Sequence, residues 1–328
     1  MKPLSSRVWW RIALAIGIAL PFAAPPAGAQ DYPSRPLRMI VPFPAGGGGD
    51  VTARVVARKL EEQLGQSVVV DNKPGGNSLI GAQELVKAQP DGYTLLWSID
   101  QTYVLNQALY RKLPYDPRKD FAPVTLTIAS PIVLVTRADS GIGSVADLVA
   151  RARAEPGKVN AGVAAMLAHV AQGLFDQSAG VRTTRIPYKG SSELATGTMA
   201  GDVDLAFDGI APFLQFARSG RARVLASTAP ARLAAMPDIP TLTELGFRDM
   251  SFGVWFAVAA PAGTPQPVID RLNSAFSAAL DDAGVRERLA TFGFEPVAQR
   301  GPAAMAQRME ADLQRFGPVA RALGLQLD

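Results

Sequence analysis

Residues 37–76 read LRMIVPFPAGGGGDVTARVVARKLEEQLGQSVVVDNKPGG. Residues 37–43 are a short apolar run of strand type, residues 45–50 a glycine loop, and residues 51–64 a helix. In that helix Val51, Val55, Leu60 and Leu64 lie near one face, with Arg54, Arg58, Lys59, Glu61 and Glu62 elsewhere. Gly65 stands where a helix-ending glycine belongs. Residues 68–70 (VVV) are the next strand, and Asn72-Lys73-Pro74-Gly75-Gly76 turns the chain. A helix over residues 79–88, stopped by Pro90-Asp91-Gly92, and a third strand over residues 94–97 complete the pattern. Strand, helix, strand, helix, strand predicts a parallel sheet covered on both faces.

Residues 124–136 are a long β-rich segment broken by Pro131, expected to cross from one lobe to another. Alternation then resumes. A helix over residues 145–154 has Ser144 as its N-cap and Pro156-Gly157 as its stop. A short strand over 159–163, a helix through 178, a strand over 184–187, a helix over 191–199 and strands over 203–207 and 224–228 follow. Residues 253–260 (GVWFAVAA) are apolar and β-rich and are expected to lead back, and amphipathic helices over 267–280 and 302–323 end the chain. The fold class is α/β with two lobes. Lobe 1 is expected to comprise residues 30–136 plus 254–328, and lobe 2 residues 137–253.

Residues 1–29 have the order of a secretory signal: Lys2, Arg7 and Arg11, then an apolar run over 12–22, then the small-residue cleavage pattern Ala27-Gly28-Ala29. The run is shorter than a spanning helix needs and is closed by Pro21, Pro25 and Pro26. The expected location is the periplasm. The formal net charge of +4 falls to +1 once those three basic residues are removed. No Lys/Arg cluster stands out in the remainder, which argues against a nucleic-acid surface. With no cysteine in the chain, disulfides, thiolate metal sites and cysteine nucleophiles are excluded.

Pro42 to Thr52 joins a strand end to a helix start, and it reads two ways. Consecutive glycines let a ligand approach the backbone, and the helix N-terminus offers free N–H groups and a partial positive charge, so an anion fits there. Alternatively, the loop is a flexible turn whose Asp50 caps the helix. It is neither a Walker A loop, lacking Gly-Lys-Ser/Thr, nor a dinucleotide fingerprint, lacking the third spaced glycine. Two further helix starts offer the same choice. One is the approach to His169. The other is Pro187-Tyr188-Lys189-Gly190-Ser191-Ser192, where Ser191 is either an anion donor or an N-cap and Tyr188 either a donor or a half-buried core aromatic.

His169 is the only histidine, so an imidazole-built metal site is impossible. A Ser-His-Asp triad would need it, yet no G-x-S-x-G elbow exists. His169 is therefore expected to face the core or the lobe interface. No enzyme activity, metal or cofactor is expected.

Motifs in one order along the chain carry a resemblance: Tyr32-Pro33-x-x-Pro36, VPFPAGGGGD over 41–50, Val70 to Gly76, Pro90-Asp91-Gly92-Tyr93-Thr94-Leu95, Leu113-Pro114-Tyr115-Asp116-Pro117, Lys119-Asp120-Phe121, Pro187 to Gly190, Met236-Pro237-Asp238-Ile239-Pro240-Thr241, Ala260 to Pro265, and Leu289-x-x-x-Gly293. The chain resembles the Bug-type substrate-binding proteins, the receptors of tripartite tricarboxylate transporters. The resemblance implies a type II-like periplasmic binding protein fold, each lobe a mixed sheet flanked by helices, with a small carboxylate in the interlobe cleft. It implies a monomer that delivers its ligand to membrane permease subunits. A sensory binding protein with the same cleft, or an exported hydrolase, are the alternatives. Carried over by motif, the first-lobe contacts are Ala45, Gly46, Gly47, Gly48, Gly49 and Asp50, and those of the second lobe are Tyr188, Lys189, Gly190 and the cleft-facing Asp208. Ser98, Val163 and Ala164 complete the candidate set. The family has a Gly/Ser/Thr-rich loop before its helical His-Leu pair. Here Val163 to Val170 carries no hydroxyl, is about two residues shorter, and has Val170 in place of leucine. Either backbone amides and water suffice to hold the ligand, or the pocket is more apolar and the ligand differs.

Overall fold

A computed structural model of the chain describes residues 32–233 and 236–327. The export signal read in residues 1–29 lies outside them. In chain order the elements are β1 (Leu37–Val41), α1 (Gly48–Leu64), β2 (Val68–Asn72), α2 (Leu79–Val86), β3 (Thr94–Ile99), a π-helical turn (Gln101–Leu105) running into α3 (Asn106–Leu109), and β4 (Phe121–Arg137). Next come α4 (Val145–Ala154), β5 (Asn160–Val163), α5 (Met166–Ala179), β6 (Thr184–Pro187), α6 (Ser191–Ala200) and β7 (Leu205–Gly209). A 3-10 turn (Ala211–Phe213), α7 (Leu214–Arg218), β8 (Ala222–Ser227), β9 (Gly253–Pro261), α8 (Gln266–Asp281), α9 (Ala283–Ala290), β10 (Glu295–Pro296) and α10 (Pro302–Ala322) complete the set. No helix among the described residues is long and apolar enough to cross a membrane.

The expected alternation produces the expected parallel pairing: β1 lies between β2 and β3, parallel to both, and β5 lies between β6 and β7, parallel to both. The sheet is mixed because β9 enters antiparallel to β3 and β4, and β4 runs antiparallel to β7 and β8. The path is β2-β1-β3-β9-β4-β7-β5-β6, with β8 and β10 added on β4. β4 therefore belongs to both halves. Up to Pro131 it pairs with β9, and from Ile132 onward with β7 and β8.

Pro131 does not break this strand, contrary to expectation. It sits opposite Gly253 at the point where β4 exchanges partners, so its missing N–H falls where the ladder changes. Gly253 is required by the close crossing, since a Cβ there would lie 2.6 Å from the Ser130 carbonyl oxygen. Thr228 ties the crossing together: its buried Oγ1 accepts from Ile132 N at 2.9 Å and donates to the Phe252 carbonyl at 2.6 Å.

Apolar faces close the layers. Ile40, Leu96 and Trp255 pack with Met305 and Met309 of α10 in the first half. In the second half Leu134, Val163 and Phe207 pack with Phe175 of α5, and this cluster also takes Phe316 and Ala320 from α10. The last helix thus bolts the halves together. α1 begins three residues earlier than its periodicity suggests, and its buried face runs through Ala53, Val56, Ala57, Leu60 and Leu64, with Val51 and Val55 only half-buried. Gly65 ends it in the left-handed conformation at φ +66°, as the sequence reading expects.

Candidate functional site

The glycine loop leaves the carboxyl end of β1 and becomes the first turn of α1. Ala45, Gly46 and Gly48 are exposed, Gly47 and Gly49 half-buried. Gly46 needs its glycine, with φ at +80°. Gly49 needs it sterically, because a Cβ would lie 2.3 Å from the Phe43 ring. Gly48 needs it for neither reason: nothing lies nearer to its Cβ position than Phe294 Cε2, at 3.8 Å.

Asp50 is only 3% exposed. Its Oδ2 accepts from Gly46 N at 2.8 Å, and its Oδ1 accepts from Arg54 Nε and Asn72 Nδ2, each at 2.9 Å. Burial pushes its pKa up, but the bonds from Arg54, Gly46 and Asn72 outweigh that and hold it below its ordinary value. Asp50 is therefore a pin that shapes the loop, and both its oxygens are used within the first half. Asn72 also donates to the Phe43 carbonyl at 3.1 Å. In the sequence Asn72 is a turn residue; its place beside Asp50 follows from β2 lying next to β1.

Other expected contacts fall into two groups. Ser98 and Val163 have no exposed surface. Ser98 Oγ lies 2.6 Å from Thr102 Oγ1, and Val163 packs in the second-half core while its carbonyl accepts from Tyr188 N at 2.8 Å. Their side chains serve packing in this conformation. Tyr188 is half-buried, and its hydroxyl lies against α6, 2.6 Å from where a Cβ on Gly197 would be. Burial, with Asp202 and Glu193 nearby, pushes its pKa up. Ala164 and Gly190 are half-buried and Lys189 exposed. The Cβ position of Gly190 is open space.

Three of these strands deliver the chain to helices that start without a side-chain cap. The N-cap residues are Gly47 for α1, Ala165 for α5 and Gly190 for α6. α2, α3, α7, α8 and α10 also start without one, whereas α4 is capped by Ser144, which accepts from Asp147 N as the sequence predicts, and α9 by Asp282. What sets α1, α5 and α6 together is that they follow the carboxyl ends of β1, β5 and β6. Ser191 is the first residue of α6 rather than its cap. First-turn N–H groups have no carbonyl partner within their own helix.

Asp208, on β7, is 3% exposed. Its Oδ1 accepts from Gly209 N at 2.8 Å, and its Oδ2 has no partner. Burial pushes its pKa up to about 6, held back by the nearby Ser191 side chain and by Gly209 N. Phe294 lies beneath Gly48 and packs edge-on to Phe256 at 5.5 Å, and beside it a Cβ on Gly293 would lie 2.5 Å from Ile210 Cγ2, two residues beyond Asp208.

His169 is partly buried near the start of α5, with an unpartnered Nδ1. Burial, helped by the charge of Arg185, lowers its pKa to about 4. The ring is neutral at pH 7 and hydrogen-bonds to no serine or carboxylate among the described residues, so the triad geometry is missing there.

The tripartite tricarboxylate transporter family receptor domain matches residues 52–325. Protein BugT of Bordetella pertussis (strain Tohama I) is 37% identical over 322 residues, covering 97% of this chain and 98% of that protein. The structure of R. palustris Rpa4515 with adipate superposes with a TM-score of 0.80 at 34% identity, covering 90% of this chain and 99% of that one. MatC (Rpa3494) from Rhodopseudomonas palustris with bound malate gives 0.76 at 30% identity, covering 88% and 99%.

Proposed function

The chain belongs to the tripartite tricarboxylate transporter receptor family, and from that premise we propose that it captures a small carboxylate between two lobes in the periplasm and hands it, chemically unchanged, to membrane permease subunits. The observation that carries the reading is the set of uncapped helix starts at Gly47, Ala165 and Gly190. Each offers N–H groups and the positive end of a helix dipole to an anion, with no arginine needed. The locked Asp50 supports it, because that carboxylate is turned to Gly46, Arg54 and Asn72.

The proposed contacts are the backbone of Ala45 to Gly49, Ala164 and the start of α5, and Lys189, Gly190 and Ser191, with Asp208 between the latter two helices. Where the family has hydroxyls before α5, Ala164 and Ala165 leave only backbone donors. The proposed lobes are residues 30–136 with 254–328, and residues 137–253, with the hinge near Pro131 and Gly253. The protein acts as a monomer, exported by cleavage near Ala29. The carboxylates seen in the R. palustris relatives supply the first probes. Adipate or malate at a hundred times its Kd should raise stability by about 2.7 kcal/mol, read as a rise in Tm that grows with concentration. A panel of carboxylates that leaves Tm unmoved overturns the proposal.

A further inference from the structure

Alongside the strand crossing lies a cavity of about 640 Å³, a volume typical of small-molecule sites. It is lined from both halves: by Ser130 and Pro131 of β4 and Gly253 of β9 at the crossing, Leu214 and Arg218 of α7 on one side, and Phe294 with Arg308 and Arg315 of α10 on the other. None of the carboxylate contacts proposed above lines it. The wall is mainly apolar, through Pro131, Ile210, Leu214, Phe252, Phe294 and Val297.

Its charge is unbalanced. Four arginines and two carboxylates line it. Arg232 is paired with Glu244, and Arg308 with Asp312, whose Oδ2 also accepts from Trp255 Nε1 at 2.7 Å. Arg218 and Arg315 make no ion pair among the described residues, although the Asp312 and Asp249 carboxylates lie near enough to Arg315 to favour its charge. Arg315 donates only to the backbone carbonyls of Ser251 and Asp249 and packs against the Phe252 and Phe316 rings. Burial lowers its pKa, the mark of a desolvated cation. Ser130, 3% exposed, has a hydroxyl with no partner. Exposed Glu295 sits on the rim.

We propose that this cavity is a second ligand site, separate from the glycine-loop cleft, and that it takes a carboxylate with an aromatic or branched apolar body. The apolar walls accept the body, and Arg218 with Arg315 takes the anionic head, charge-assisted hydrogen bonds being the strong ones. A carboxylate without an apolar body gains little here, which distinguishes this site from the cleft.

The probe is 4-bromobenzoate, with the full chain. Calorimetry on wild type should show binding that persists in Gly190→Val, a substitution aimed at the cleft, at a residue whose Cβ position is open space and which does not line the cavity. Arg218→Glu, at an exposed position that the fold does not need, should weaken it about tenfold or more, and Arg218→Lys should retain most of it. Crystals soaked with the probe should place the bromine anomalous peak among Leu214, Phe294 and Pro131. No binding, affinity unchanged in Arg218→Glu, or a bromine peak only beside the glycine loop would overturn the proposal. Adipate stabilisation is a separate readout, so either result stands apart from the cleft.

Discussion

A Cβ on Gly49 would enter the Phe43 ring, one on Gly46 would strain a left-handed backbone, and one on Gly48 would meet only open space and an ordinary contact with Phe294. The three glycines therefore separate fold from function. Gly49→Ala should cost about 1–3 kcal/mol of stability through overpacking, read as a lower denaturant midpoint. Gly48→Val should leave that midpoint unchanged and weaken adipate binding about tenfold or more, or about 1.4 kcal/mol; undiminished affinity would count against backbone capture. Asp208 supplies a pH test. Its carboxyl titrates near pH 6, and a neighbouring anion binds best when it is neutral. Adipate affinity should fall about three- to tenfold from pH 5.5 to 7.5, the scale of a coupling up to one pKa unit. Asp208→Asn should flatten that profile, and a profile equally steep in the variant would remove Asp208 from the site. At this scale the glycine loop was legible as a strand-to-helix junction, because glycine runs have few uses. The bond of Asp50 to Asn72, 22 residues away, and the full burial of Ser98 and Val163 were not, because they depend on how β1, β2, β3 and β5 are placed in the sheet.

Elements were legible where a period or a cap had length to speak. α4 begins and ends as expected, β6 spans the expected four residues, and α10 differs by one residue at its end. The π-helical turn and α3, α7, α9 and β10 were not anticipated. They are short, and their order depends on packing rather than on periodicity. Pro131 misled because proline is read as a strand breaker, whereas here it occupies the one point at which β4 changes neighbours. At the same crossing, Thr228 Oγ1 joins β4, through Ile132 N, to the carbonyl oxygen of Phe252, the residue just before β9. Thr228→Val keeps the shape and leaves both backbone groups unsatisfied, so it should destabilise by about 1–3 kcal/mol in chemical unfolding. A loss below about 0.5 kcal/mol, the usual range for surface changes, would mean that the staple carries no stability.

At the scale of the whole molecule, the alternation of strand and helix predicts the two parallel-sheet halves, and the return of residues 253–261 explains why the sheet is mixed. What sequence did not reveal is that α10 crosses over, lending Phe316 and Ala320 to the second-half core. That contact depends on where the helix lands after the hinge strands have placed both sheets. On the proposed hinge, closure would bring the α1 start toward the α5 and α6 starts, and a bound anion would favour it by its differential affinity. A crystal structure of the full chain with adipate tests this most directly. One adipate carboxylate should lie about 2.7–3.2 Å from the backbone N–H groups of Gly48 or Gly49, with N–H groups at the start of α5 or α6 on the same ligand. Adipate absent from that space, or held by the first half alone, would contradict it.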